Sequence, residues 1–123
     1  MQILIDELRL ADLKRLFTKT ESHKLHEFVK IFKETALDAV NALVSASPET
    51  KTEDLKNAAH RLRGASLNIG APALADLAAA IEKKLKKGDR PGLTEEIKQL
   101  TGLHQETLRE LSQVLIRLFN QPT

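Results

Sequence analysis

Asn57-Ala58-Ala59-His60-Arg61-Leu62-Arg63-Gly64-Ala65-Ser66-Leu67-Asn68-Ile69-Gly70, read with Ala71-Pro72 and the apolar segment after it, decides the fold. At about 100° of turn per residue, Ala59, Leu62, Ser66 and Ile69 fall on one helical stripe, and His60, Arg63, Gly64 and Leu67 fall on the stripe beside it. A histidine thus stands next to a cation and a glycine. Inside a helix a glycine costs about 1 kcal/mol relative to alanine, so Gly64 asks for a reason: close packing of a neighbouring helix, or close approach by another molecule. Gly70-Ala71-Pro72 carries a stop and a restart, with glycine just past one helix and proline at the opening of the next. The pattern predicts an antiparallel helical hairpin. His60 lies eleven residues before Ala71 and Glu82 eleven after it, so at about 1.5 Å per residue each stands about 16 Å from the turn. Glu82, at the edge of its helix's apolar stripe, can reach one imidazole nitrogen and leave the other in water; its rival partner is Lys86, one turn further on.

Outward from the hairpin the same periodicity continues. A short segment from about Asp6 to Phe17 carries Leu8, Leu10, Leu13, Leu16 and Phe17, enough for a helix covering one end of a bundle. From about Ser22 to Ser45, Leu25, Phe28, Val29, Phe32, Ala36, Ala39, Val40 and Leu43 recur at helical spacing. Ser45-Ala46-Ser47-Pro48 ends that helix, and Thr50-Lys51-Thr52-Glu53 has the spacing of a capping box for the helix that presents His60. The next helix, about Pro72 to Lys87, turns Leu74, Leu77, Ala78, Ile81 and Leu85 inward, and Gly88-Asp89-Arg90-Pro91-Gly92 breaks the chain. A last helix, about Leu93 to Phe119, repeats the pattern through Ile97, Leu100, Leu108, Leu111, Leu115 and Leu118. Long amphipathic helices joined by short turns predict an all-α protein, an antiparallel four-helix bundle with a short additional N-terminal helix. With 123 residues and no repeat or linker, residues 1–123 read as one domain.

Composition narrows the function. The chain has no cysteine, hence no disulfide or thiolate metal site, and its four Phe without Trp or Tyr leave a core of Leu, Ile, Val and Ala. A formal charge of +2 in a chain that is 29% charged is too small to imply nucleic-acid binding. No apolar run reaches membrane-spanning length, and the first residues lack the pattern of a signal peptide. Neither a Gly-x-x-x-x-Gly-Lys loop nor a Gly-x-Ser-x-Gly turn is present, so ATP binding and hydrolysis by this chain alone are not expected.

His60-x-Leu62-Arg63-Gly64, the preceding Ala58-Ala59, the downstream Asn68-x-Gly70, and Leu74-x-x-Leu77 leading to Ile81-Glu82 resemble the histidine-containing phosphotransfer (HPt) domain of bacterial two-component phosphorelays. With Phe28-x-x-x-Phe32 included, the resemblance runs from about Leu25 to Phe119. It implies that His60 is the phosphoacceptor, that Arg63 stands at the family's usual lysine or arginine, that Gly64 is the small residue beside the phosphate, and that Glu82 is a carboxylate seen in some members. Leu67 is larger than the residue many members carry there. The function expected is that of a phosphorelay intermediate: Nε2 of His60 accepts a phosphoryl group from a receiver-domain aspartate and returns it to another, with Arg63 stabilising charge on the phosphate and Glu82 orienting the imidazole. Gly64 and Leu67 are the expected partner contacts. Such a chain is a phosphocarrier rather than an enzyme; it binds no cofactor, and Mg²⁺ is expected on the receiver. The implied partners are receiver domains and a hybrid sensor histidine kinase, and the chain is expected to be a cytoplasmic monomer, whether free-standing or cut from a membrane kinase.

Each candidate has a plainer reading. His60 can be an incidental surface residue of a non-catalytic helical interaction domain; Arg63 can be merely solvated, with Arg61 as a competing cation about 100° away. Leu67 can be buried under a neighbouring helix. The dimerising phosphoacceptor domain of a sensor kinase is a further alternative, against which stands Arg61 where an acidic residue usually follows the histidine. Lys83, Lys84, Lys86, Lys87 and Arg90 form a basic run best read as a solvated face that suits a helix C-terminus. His23 and His26 lack the Glu-x-x-His pairing of di-iron bundles, and His104, on the apolar stripe with Leu100 and Leu108, reads as a partly buried structural histidine.

Overall fold

The apolar stripes settle into five α-helices in the computed structural model, which describes residues 2–17 and 22–120. They are α1 (Glu7–Leu16), α2 (Ser22–Val44), α3 (Thr52–Ile69), α4 (Pro72–Lys86) and α5 (Thr94–Phe119), with a 3₁₀ turn at Pro91–Leu93 leading into the last. No strand occurs among the described residues. Helices α2 to α5 run alternately up and down as a four-helix bundle: α3 packs along α4 and α2, and α5 closes the ring against α2 and α4. The core is built from the residues that periodicity turned inward. Leu25, Phe32 and Val40 of α2, Leu55, Leu62 and Ile69 of α3, Leu74, Ile81 and Leu85 of α4, and Leu100, Leu111 and Val114 of α5 are all buried. Ala36, Ala39, Ala58, Ala59 and Ala78 are wholly inaccessible, and small side chains at helix contacts let the axes approach closely.

The α3–α4 turn is made as glycine and proline chemistry dictates. Gly70 takes the left-handed conformation, φ 84°, and its N–H donates to Ser66 O at 3.1 Å while Ala71 N–H donates to the same oxygen at 2.7 Å. Pro72 opens α4, where its missing N–H removes no helical bond. The N-terminal segment straps this turn from outside: Asp6 N–H donates to Gly70 O at 2.6 Å, Ile3 O accepts from Ala73 N–H at 3.1 Å, and Arg9 Nε–H donates to Asn68 O at 3.2 Å. Asp6 also caps α1, its carboxylate accepting from Leu8 and Arg9 N–H. Among the described residues of this segment Ile5, Leu10 and Leu13 are buried, with Phe17 packed at the core's edge, and Leu8 and Leu16 lie on the outer side of α1.

The start of α3 differs from the expected capping box. The N-cap is Lys51, with no side-chain cap; Thr50 Oγ1 instead accepts from Ser47 N–H at 3.0 Å, closing the turn after α2. Glu53 pairs with Lys56 at 3.2 Å rather than reaching back. The loop carbonyls go to Arg90, which donates to Thr50 O at 2.6 Å and Ser47 O at 2.9 Å, so one arginine from the far loop seals this end of the bundle.

Candidate functional site

Helix α3 buries one stripe and exposes the next. Ala59, Leu62, Ser66 and Ile69 are fully inaccessible, whereas His60, Gly64 and Leu67 are exposed and Arg63 half-buried. The imidazole of His60 is 65% exposed and stands on the bundle's outer wall. Because the hairpin is antiparallel and tightly packed, Glu82 of α4 arrives at the same level: its Oε2 lies 3.0 Å from His60 Nδ1. A carboxylate only accepts, so Nδ1 carries the proton and the lone pair of the neutral ring is on Nε2, away from Glu82.

Glu82 is the most constrained group of the cluster. Its side chain is 7% exposed, and burying a carboxylate without partners is costly. Both its oxygens are engaged. Arg63 NH1 donates to Oε1 at 3.0 Å, and Lys86 Nζ lies 3.6 Å from Oε2, the oxygen that also serves His60. The two pairings set against each other in the sequence, with His60 and with Lys86, therefore coexist. Arg63 is brought into contact with the group that holds the imidazole, and the rest of its guanidinium remains at the surface, 40% exposed. Arg61, the competing cation, is turned away toward Asp38 at 3.6 Å.

Gly64, one turn from His60, has open space beside it: a Cβ built there meets nothing within 4 Å. Close packing of this chain's own helices therefore does not explain the glycine. Leu67 is 58% exposed rather than covered by a neighbouring helix. On the α2 side of His60 runs a groove of about 400 Å³ whose lining includes Phe28, Ile31, Phe32 and Ala65 together with Gly64. Ile31, 62% exposed, is a member of this surface that the sequence reading passed over. Its signal was an isoleucine out of phase with the stripe of Leu25, Phe28, Val29 and Phe32.

The remaining histidines stand apart from this site. His26 stacks on Phe119 with ring centroids 5.3 Å apart, and His104 is buried in α5, where desolvation lowers its pKa below the usual histidine range. Among the described residues no group of three or more His, Cys, Asp or Glu could hold a metal ion, and no helix is long and apolar enough to cross a membrane.

A protein-family model, the Hpt domain, matches residues 27–116, a span that contains every residue of the His60 cluster and leaves α1 outside. No curated protein matches the chain.

Proposed function

Because this chain belongs to the Hpt domain family, we propose that His60 is its phosphoacceptor, taking a phosphoryl group from the aspartate of one receiver domain and delivering it to another. Hpt domains are phosphocarriers of two-component signalling rather than classical enzymes, and they interact with receiver domains and kinases. The observation that supports His60 most directly is its pairing: Nδ1 is held by a buried carboxylate at 3.0 Å while the ring stays 65% exposed.

In the forward step the Nε2 lone pair attacks phosphorus in line, the N–P bond forms, and the P–O bond to the aspartate breaks, releasing its carboxylate. Positive charge that develops on the ring is met by Glu82 at Nδ1, and Arg63 offers its exposed N–H groups to the phosphoryl oxygens. The reverse sequence loads the second receiver. A Mg²⁺ ion bound by the receiver would supply the remaining charge neutralisation. Gly64 and Leu67, with the groove beside them, form the docking surface, and residues 1–123 act as a single monomeric unit fed by a hybrid sensor kinase.

The test is incubation with a phosphorylated receiver domain. Acid-labile, base-stable label appears on the native chain and is abolished by His60→Gln. Unchanged labelling of that variant refutes His60 as the site, and a native chain that takes no label leaves a helical interaction domain in its place.

A further inference from the structure

The basic run at the end of α4 sorts itself by partner. Lys84 Nζ donates to Gly92 O at 2.8 Å and also to the Glu96 carboxylate, whose pKa is lowered chiefly by this second hydrogen bond. Arg90 is occupied by the loop carbonyls of Ser47 and Thr50, and Lys86 approaches Glu82. Lys83 and Lys87 are exposed and meet no carboxylate among the described residues. Together with Arg63, Ala79, Glu82 and Lys86 they line a hollow of about 260 Å³ on the α4 side of the His60 cluster.

Four cations around one carboxylate leave a surplus of three positive charges there, more than the formal +2 of the whole chain. The excess charge of the protein is therefore focused at the edge of the site. The helix dipole favours lysines in a last turn, which accounts for their presence but not for their gathering on one wall. Lys83 and Lys87 are four residues apart on one face, a placement that like-charge repulsion disfavours. His60 consequently sits on a boundary, with an apolar groove toward α2 and a basic hollow toward α4.

We propose that Lys83, Lys86 and Lys87 form an electrostatic docking edge that receives the acidic face of the receiver, so that the receiver's apolar contact falls on the α2–α3 groove. This rests on the reading of His60 as an acceptor from receiver domains. The phosphoaspartate that a receiver brings, and the carboxylate it takes away, are both anionic, the sign that this edge attracts. Charge focused on one wall raises the association rate, and salt screens it over a Debye length of about 8 Å at physiological ionic strength.

The experiment measures the second-order rate constant of phosphoryl transfer from a purified phosphorylated receiver domain across a salt series, for the native chain, Lys83→Glu/Lys87→Glu and Lys83→Gln/Lys87→Gln. The native rate falls with salt. Charge reversal lowers the low-salt rate by about tenfold, neutralisation by less, and both gaps close as salt rises. A gap of equal size at every ionic strength, or no gap, overturns the proposal. So does binding of a short DNA duplex by the native chain that charge reversal removes, since the edge would then serve a nucleic acid. A native chain labelled on His60 at a salt-independent rate sinks the docking edge alone; a native chain that takes no label sinks the edge and the acceptor reading together.

Discussion

Replacing Glu82 by glutamine keeps the side chain's shape and removes one of its two acceptors. In the native cluster Oε2 accepts from His60 Nδ1 and Oε1 from Arg63 NH1, each at 3.0 Å. An amide offers one oxygen and one NH₂ group, so either the ring or the guanidinium is left facing another donor. A hydrogen bond to a charged group contributes about 1.5–3 kcal/mol when sheltered. Here the ring and the guanidinium are 65% and 40% exposed, and screening reduces the figure to about 1 kcal/mol. That difference corresponds to about fivefold in the ratio of the Nδ1–H to the Nε2–H tautomer, and to a loss of up to about fivefold in the rate at which Nε2 takes up the phosphoryl group. The ¹⁵N shifts of the His60 ring report the tautomer, and single-turnover transfer from a phosphorylated receiver reports the rate. Both are expected to move together, further in Glu82→Ala than in Glu82→Gln. A rate that falls while the tautomer stays put, or native values of both, refutes the orienting role.

Three other perturbations test separate parts of the structure. Gly64→Gln is expected to stabilise α3 by about 0.5–1 kcal/mol in denaturant titrations, because the space is open and glutamine favours helix, yet to lower receiver transfer at least about tenfold by filling the approach to His60; native transfer by the stabilised variant would contradict the docking surface. Gly70→Ala places a Cβ 2.8 Å from Arg9 Cγ at a backbone φ of 84°, and is expected to cost about 2–3 kcal/mol in the same titration, including the Arg9 bond to Asn68 O. His104 has its pKa lowered by desolvation, so between that value and 6.5 the unfolded chain binds more protons than the folded one. Stability is then expected to fall as pH drops below about 6.5 and to level off beneath the folded pKa, and this slope should be missing from His104→Leu.

The parts of this fold that rest on local chemistry were legible in the sequence. Gly70 and Pro72 specify a turn whatever surrounds them, and the turn sets His60 and Glu82 level by counting alone. Periodicity likewise separated the buried Ala59–Ile69 stripe from the exposed one. What it could not rank were competing partners on one face. Arg63, His60 and Lys86 all converge on Glu82 because the carboxylate is buried and has two oxygens to satisfy, a fact about depth that spacing does not carry. Thr50 had the right spacing for a cap, but its hydroxyl accepts from Ser47 N–H in the preceding turn, and the N-cap of α3 falls one residue later at Lys51. Leu8 and Leu16 share the short leucine-rich α1 with Leu10 and Leu13, and composition does not say which of the four turn inward; only Leu10 and Leu13 do.

The strap formed by the N-terminal segment bears on where this protein can be trimmed. Similarity to the family begins at residue 27, yet Ile3 O, Asp6 N–H and the Arg9 side chain are bonded to the very bend that aligns the histidine with its carboxylate. A shortened version starting at the edge of the match would leave Gly70 O and Ala73 N–H to water and strip Leu10 and Leu13 from the bundle's end. The boundary drawn by resemblance and the boundary drawn by packing are thus different lines, and the second is the one that includes the bonds bracing the bend between His60 and Glu82.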